Sequence, residues 1–138
     1  MKPLIITIGV TVLLIVGAIG WSSTQQGEIS DIISRNGIHW HPELSIYVKG
    51  EKQEIPSGIG LVGAHQPMHT HEDLPIIHLE FQGVVRAQDT TLKKFFQVWG
   101  KDIQSFGTAV AMTINGEANA TLGDYMFRDG DKVELRYE

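Results

Sequence analysis

The longest apolar run comes first. Residues 3–21 carry no charge and are dominated by Leu, Ile and Val. At 1.5 Å per residue, a run of roughly 18 residues covers about 27 Å, enough for the hydrocarbon core of a bilayer. Lys2 precedes the run, and the first charges beyond it are Glu28 and Asp31. This pattern predicts a transmembrane helix with its start inside, the remainder exported and Trp21 at the far interface. A competing reading is a signal peptide cleaved after Ala18-Ile19-Gly20. Both readings place residues 28–138 outside the cytoplasm. The expected organisation is an anchor or signal over 1–24, a linker over 25–38 and a folded domain over 39–138.

Past residue 24 the pattern breaks into short elements. Ile29, Ile32 and Ile33 fall at i, i+3 and i+4, which predicts a short amphipathic helix ending at Asn36-Gly37. Leu44, Ile46 and Val48 alternate with Ser45, Tyr47 and Lys49, the signature of a half-buried strand. Gly50-Glu51 then predicts a type II′ hairpin turn into a second strand, Lys52 to Ile55. Ser57 to Gly63 is a glycine-rich loop without the lysine of a phosphate loop. Ile77, Leu79 and Phe81 alternate with His78 and Glu80 as a third strand. Leu92, Phe95, Phe96 and Trp99 make one apolar helical stripe, capped by Asp89 or Thr90 and closed by Gly100. A strand at Val110 with an Asn115-Gly116 turn, and a final strand alternating Val133, Leu135 and Tyr137, complete the order. The expected fold is α+β: an N-terminal transmembrane helix, then a mixed sheet with one helix packed on it.

Composition narrows the chemistry. The chain has 138 residues and a formal net charge of −5, from 11 basic and 16 acidic residues. No basic cluster follows residue 28, so no nucleic-acid partner is expected. Cysteine is absent, which excludes disulfides, thiolate metal ligands and cysteine nucleophiles. What stands out is histidine. All 6 fall within residues 39–78, as His39-Trp40-His41, His65, His69-Thr70-His71 and His78.

Imidazole is the commonest biological metal ligand. In a strand, residues i and i+2 share a face, so each His-x-His is a candidate chelating pair. If the pleat of the Leu44 strand runs back through Pro42, His39 and His41 oppose the core residues, as His78 opposes Ile77 and Leu79. Candidate ligands are therefore His69 and His71, then His39, His41 and His78, with His65 last. Glu43, Glu72 and Glu80 are carboxylates that could ligate or orient an imidazole. Met68 adjoins His69, and a thioether tilts the choice toward copper over zinc. Surface histidines, or a pH-responsive cluster, are the alternative to a metal site.

The strand and helix order, with its terminal Asp129-Gly130-Asp131-Lys132-Val133-Glu134-Leu135 segment, resembles the β-grasp architecture of ubiquitin-like and transcobalamin-type domains. The chain also resembles a family of small, N-terminally anchored bacterial and archaeal proteins of unassigned function. These carry the same His-x-His pairs, a later single His and a Phe-Phe-x-x-Trp-Gly helix (here Phe95, Phe96, Trp99, Gly100). That resemblance implies one site across 39–78 and no activity. The expectation is a membrane-anchored extracytoplasmic copper-binding module serving storage, delivery or a partner oxidase. A zinc-stapled interaction domain, or a small enzyme with a metal on three histidines, are the alternatives. His69-Thr70-His71-Glu72-Asp73 starts like the metal motif of metallo-β-lactamase-type hydrolases, but Leu74 stands where the last His is needed. The His69-x-His71 spacing also starts like a cupin motif, but its expected Glu would fall at Pro75 or Ile76.

Overall fold

A computed structural model describes residues 31–138. Within it, residues 33–138 make one compact unit. The strands in chain order are β1 (Ile32–Ser34), β2 (Ile38–Trp40), β3 (Glu43–Val48), β4 (Glu51–Gln53), β5 (Met68–His69), β6 (His78–Phe81), β7 (Val85–Arg86), β8 (Val110–Ile114), β9 (Glu117–Asn119) and β10 (Lys132–Tyr137). The helix α1 spans Leu92–Trp99.

The expected fold class is overturned. Among the described residues the protein is mostly sheet, divided into five-, three- and two-stranded sheets, with one α-helix of 8 residues. None of their helices is long and apolar enough to cross a membrane. The apolar run at 3–21, which carried the transmembrane expectation, lies outside the described residues. Ile32 and Ile33, expected in a short helix, are in strand β1.

The five-stranded sheet has the order β4-β3-β10-β8-β9. Its centre is a parallel pair, β10 on β3, with Leu135 beside Ile46 and Val133 beside Leu44. The apolar alternation read from the sequence explains the register, because a one-residue slip would turn these side chains out of the core. The β3–β4 turn uses Lys49 and Gly50, both at positive φ (50° and 83°), so it is type I′ rather than the expected type II′ turn at Gly50-Glu51. Asn115-Gly116 turns β8 into β9 in the same way, with φ of 53° and 87°.

Pro42 explains the division into sheets. It has no N–H to continue a ladder, so β2 and β3 part there. β3 joins the large sheet, while β2 pairs with β6 in the three-stranded sheet β2-β6-β5. The expected third strand therefore belongs to a separate sheet, which carries the histidines.

Helix α1 closes the core. Thr91, not Asp89 or Thr90, caps it by accepting from Lys94 N–H at 3.2 Å. Asp89 instead caps the preceding turn, accepting from Arg86 N–H. At the other end Gly100 is left-handed, and Lys101 N–H reaches back to Phe96 C=O at 2.9 Å, the hydrogen bond of a Schellman end. Leu92, Phe95 and Phe96 are buried with Leu44, Ile46, Leu135 and Tyr137 from the large sheet and Met68 and Leu79 from the small one. Each fully buried side chain of this kind contributes about 1.5–3 kcal/mol.

The turn before β10 rests on a buried carboxylate. Asp131 accepts from Tyr125 Oη at 2.5 Å, Arg128 N–H at 2.8 Å and Asn115 Nδ2 at 3.2 Å. Burial and this carboxylate push the Tyr125 phenol above its usual pKa. Asp131→Ala leaves three donors without their acceptor. The expected loss of stability is about 1–3 kcal/mol, read from the denaturant midpoint of a circular-dichroism melt.

Candidate metal centre

The small sheet has two unlike faces. In the β5–β6 register Met68 opposes Leu79 and His69 opposes His78; in β2–β6, His39 opposes Glu80 and Trp40 opposes Leu79. Residues directly opposite share a face, and neighbours along a strand alternate. Met68 and Leu79 thus turn into the core, while His69, His78, His39 and Glu80 share the other face. Met68 is 1% exposed and part of the core cluster. Its thioether is not aimed at the histidines, so the sequence argument for copper from Met68 does not hold.

The rings on the polar face form a continuous set. His69 stacks on His78 at 5.4 Å between centroids, and His71 lies 4.9 Å from His69 and 4.8 Å from His78. His41 lies 5.0 Å from His78 and 4.7 Å from His39, and His65 lies 4.6 Å from His69. Within this set, His69, His71 and His78 each offer a ring nitrogen within 4.8 Å of the others, an arrangement that could hold a metal ion.

Hydrogen bonding sets the tautomers of the two buried members. Nδ1 of His69 is 3.0 Å from the Gln66 carbonyl. A carbonyl only accepts, so Nδ1 carries the proton and Nε2 is a bare lone pair. Nε2 of His78 lies 3.0 and 3.2 Å from the Asp73 carboxylate oxygens, so it donates there, and in the neutral ring Nδ1 is then a lone pair. These two freed atoms, His69 Nε2 and His78 Nδ1, are buried without a hydrogen-bond partner. Leaving a buried polar atom unpaired costs about 1–3 kcal/mol. The carbonyl and carboxylate on the far nitrogens are the usual way that metal-binding imidazoles are oriented.

The chain around His69 is held tightly. Thr70, fully buried, donates its hydroxyl to Pro56 C=O at 2.9 Å and accepts from Ile59 N–H at 3.1 Å. Its backbone pairs with Gly58 and Ile59. Gly60 has φ of +75°, and a Cβ there would lie 2.5 Å from Met68 O and 3.2 Å from His69 Cβ. The glycine-rich loop is therefore the back wall of the His69 strand. His71, next along, is exposed.

The remaining candidates sit at the rim. His39 Nε2 is 3.4 Å from Glu80 Oε1, and the same oxygen is 3.8 Å from His78 Nδ1. His41 donates its backbone N–H to Asp129 at 2.8 Å. Glu43 begins β3 beside Ile76 and Glu72 lines a groove with Glu54 and Ile55. Among the described residues, the carboxylates within ion-pair distance of a histidine belong to Glu80, Asp73 and Asp129. The role of Asp73 is not legible in the sequence, because only the turn through Leu74 and Pro75 brings it back to His78. An open cleft of about 610 Å³ borders the site, with His39, His65, His69 and Glu80 in its lining.

Burial lowers the pKa of His69 below its usual value, outweighing the carbonyl hydrogen bond that raises it. The folded chain therefore takes up this proton less readily than the unfolded chain. The resulting stability is fully present above about pH 6.5, the ordinary histidine value, and is lost as pH falls through the lowered value. The melting temperature of metal-free protein is expected to drop between pH 7 and pH 5, and His69→Gln should flatten that dependence.

No protein-family model, curated protein or solved structure matches this chain.

Proposed function

We propose that this domain is a metal-binding module that holds a first-row transition ion on His69, His71 and His78. The observation that carries this reading is the pair of buried, unpartnered nitrogens, His69 Nε2 and His78 Nδ1. Their rings have the opposite nitrogens tied to a carbonyl and a carboxylate. An ion supplies the missing partner to both. Nitrogens around one tetrahedral ion sit about 3.3 Å apart when each bond is about 2.0 Å. Each of the three residues offers a ring nitrogen within 4.8 Å of the others, so closure on one ion shortens these separations by up to about 1.5 Å, and exposed His71 has room to move.

Three neutral imidazoles suit both copper(II) and zinc(II), and nitrogen sites bind copper(II) more tightly. Copper is therefore the ion proposed first, with zinc second. Reversible holding, for storage or for delivery to a partner protein, fits better than a structural staple. The hydrophobic core forms on the opposite face of the small sheet and is continuous with the large one, so folding does not wait for the ion.

The test is metal content by mass spectrometry after dialysis against copper(II) or zinc(II), using protein purified without a histidine tag. One tightly held ion per chain is expected, and the stripped protein should keep its circular-dichroism spectrum. Absence of a stoichiometric ion with either metal would sink the reading; unfolding on stripping would turn it into a structural zinc site. Asp73→Asn tests the orienting carboxylate. It should weaken metal binding 10- to 100-fold with the fold intact, measured by competition with a chromophoric chelator.

A further inference from the structure

The polar face holds more ligand than one ion can use. Beside the triad lie two further imidazoles, His39 and His41, with ring centroids 4.7 Å apart. Asp129 takes the backbone N–H of His41 at 2.8 Å and stands 4.0 Å from its Nδ1, so the chain is pinned where this ring meets the cluster. Between the two groups stands one carboxylate. Glu80 Oε1 is 3.4 Å from His39 Nε2 and 3.8 Å from His78 Nδ1. It comes from the same β6 face as His78 and from directly opposite His39 in the β2–β6 register.

We infer that the face binds a second transition ion on His39, His41 and Glu80, with the Glu80 carboxylate bridging it to the ion on the triad. The chemistry follows from the donor set. A carboxylate has two oxygens and can join two cations, and paired metal sites bring their ions about 3.5–4 Å apart. Without the bridge, two cations that close would repel strongly. With it, the charge between them is partly neutralised. His39 and Glu80 have side chains 65% and 41% exposed, so the outer position is reached from solvent and fills after the inner one. The face would thus fill in order, the buried triad first and the open rim second.

This inference rests on the triad being a metal site, and the experiment separates the two. The full chain is titrated with copper(II), following bound ion by mass spectrometry and the spin signal by electron paramagnetic resonance. Two ions per chain are expected, the second equivalent bringing dipolar broadening and a half-field line that the first lacks. His39→Ala/His41→Ala should keep the first ion on the triad; Glu80→Gln is the second variant, and its first ion is expected to bind more weakly for want of the bridging oxygen. Each should weaken the second at least 100-fold and remove the coupled signal. Saturation of the parent at one ion overturns the second position and leaves the triad reading standing. So does a second ion that persists, coupled, in both variants. Failure to bind any ion overturns both. The replaced histidines are at the rim and outside the core, and Glu80→Gln keeps side-chain shape, so a folding defect in one variant leaves the other informative.

Discussion

His69→Ala/His78→Ala is expected to abolish tight metal binding, lowering affinity by 1,000-fold or more, while the metal-free protein loses little stability. Each side chain supplies one of the two nitrogens that are already bare and buried. Removing both leaves His71 as a single exposed imidazole with no chelate partner in the triad. The stability side is less obvious. Truncating a buried ring opens a cavity, which is destabilising, but it also removes a buried polar atom that lacked a partner, which is stabilising. The two effects oppose each other, so the net change should be far smaller than for a core leucine. A chelator competition paired with a urea titration reads both quantities. Retained metal affinity would show that the triad is not where the ion sits. A collapse of the metal-free fold would show that the rings hold the sheet together.

Gly60→Ala should have the opposite profile, a large loss of stability with metal affinity falling alongside it. Gly60 is left-handed at φ +75°, a region that costs a residue with a Cβ about 1–3 kcal/mol. The added carbon would also lie 2.5 Å from the Met68 carbonyl, and backbone cannot swing aside as a flexible side chain can. Overpacking of this sort costs a further 1–3 kcal/mol or so, giving about 2–6 kcal/mol in all. The strand that must move is β5, and the added carbon would also lie 3.2 Å from the Cβ of its His69. The measurement is the same pair of titrations. Wild-type stability with wild-type affinity would mean that the loop does not brace the site.

Much of the large sheet was legible because its evidence is local. The alternation in β3 and β10 and the stripe in α1 each report a face within a few residues, and burial follows them. The separate sheet was legible only in part. The alternation of Ile77, Leu79 and Phe81 marked β6, but β2 and β5 have 3 and 2 residues, too short for any period to be read. Pro42 illustrates the point. Extending a pleat through it places His39 opposite the core, which is the observed side, but the cause is different: His39 faces as it does because β2 lies on β6 with His39 opposite Glu80. Met68 shows the converse. Adjacency to His69 suggests a shared site, and strand alternation places the two on opposite faces. The nearness of His71 to His69 was readable in the His-x-His spacing, but their meeting with His78 depends on β5 pairing with β6, and the hydrogen bond of Asp73 depends on the turn before Ile76. Neither of the latter two has a local signature.

The central parallel pair also sets a schedule for folding. β10 lies between β3 and β8, so the β3–β4 and β8–β9 hairpins stay unjoined until residues 132–137 have left the ribosome. Until then the large sheet lacks its central strand, and the core that the histidine sheet shares with it is incomplete. Contacts between such distant parts of a chain form slowly. Nascent chains stalled before Lys132 should therefore be protease-sensitive throughout, and metal capture should begin only after the last strand has docked.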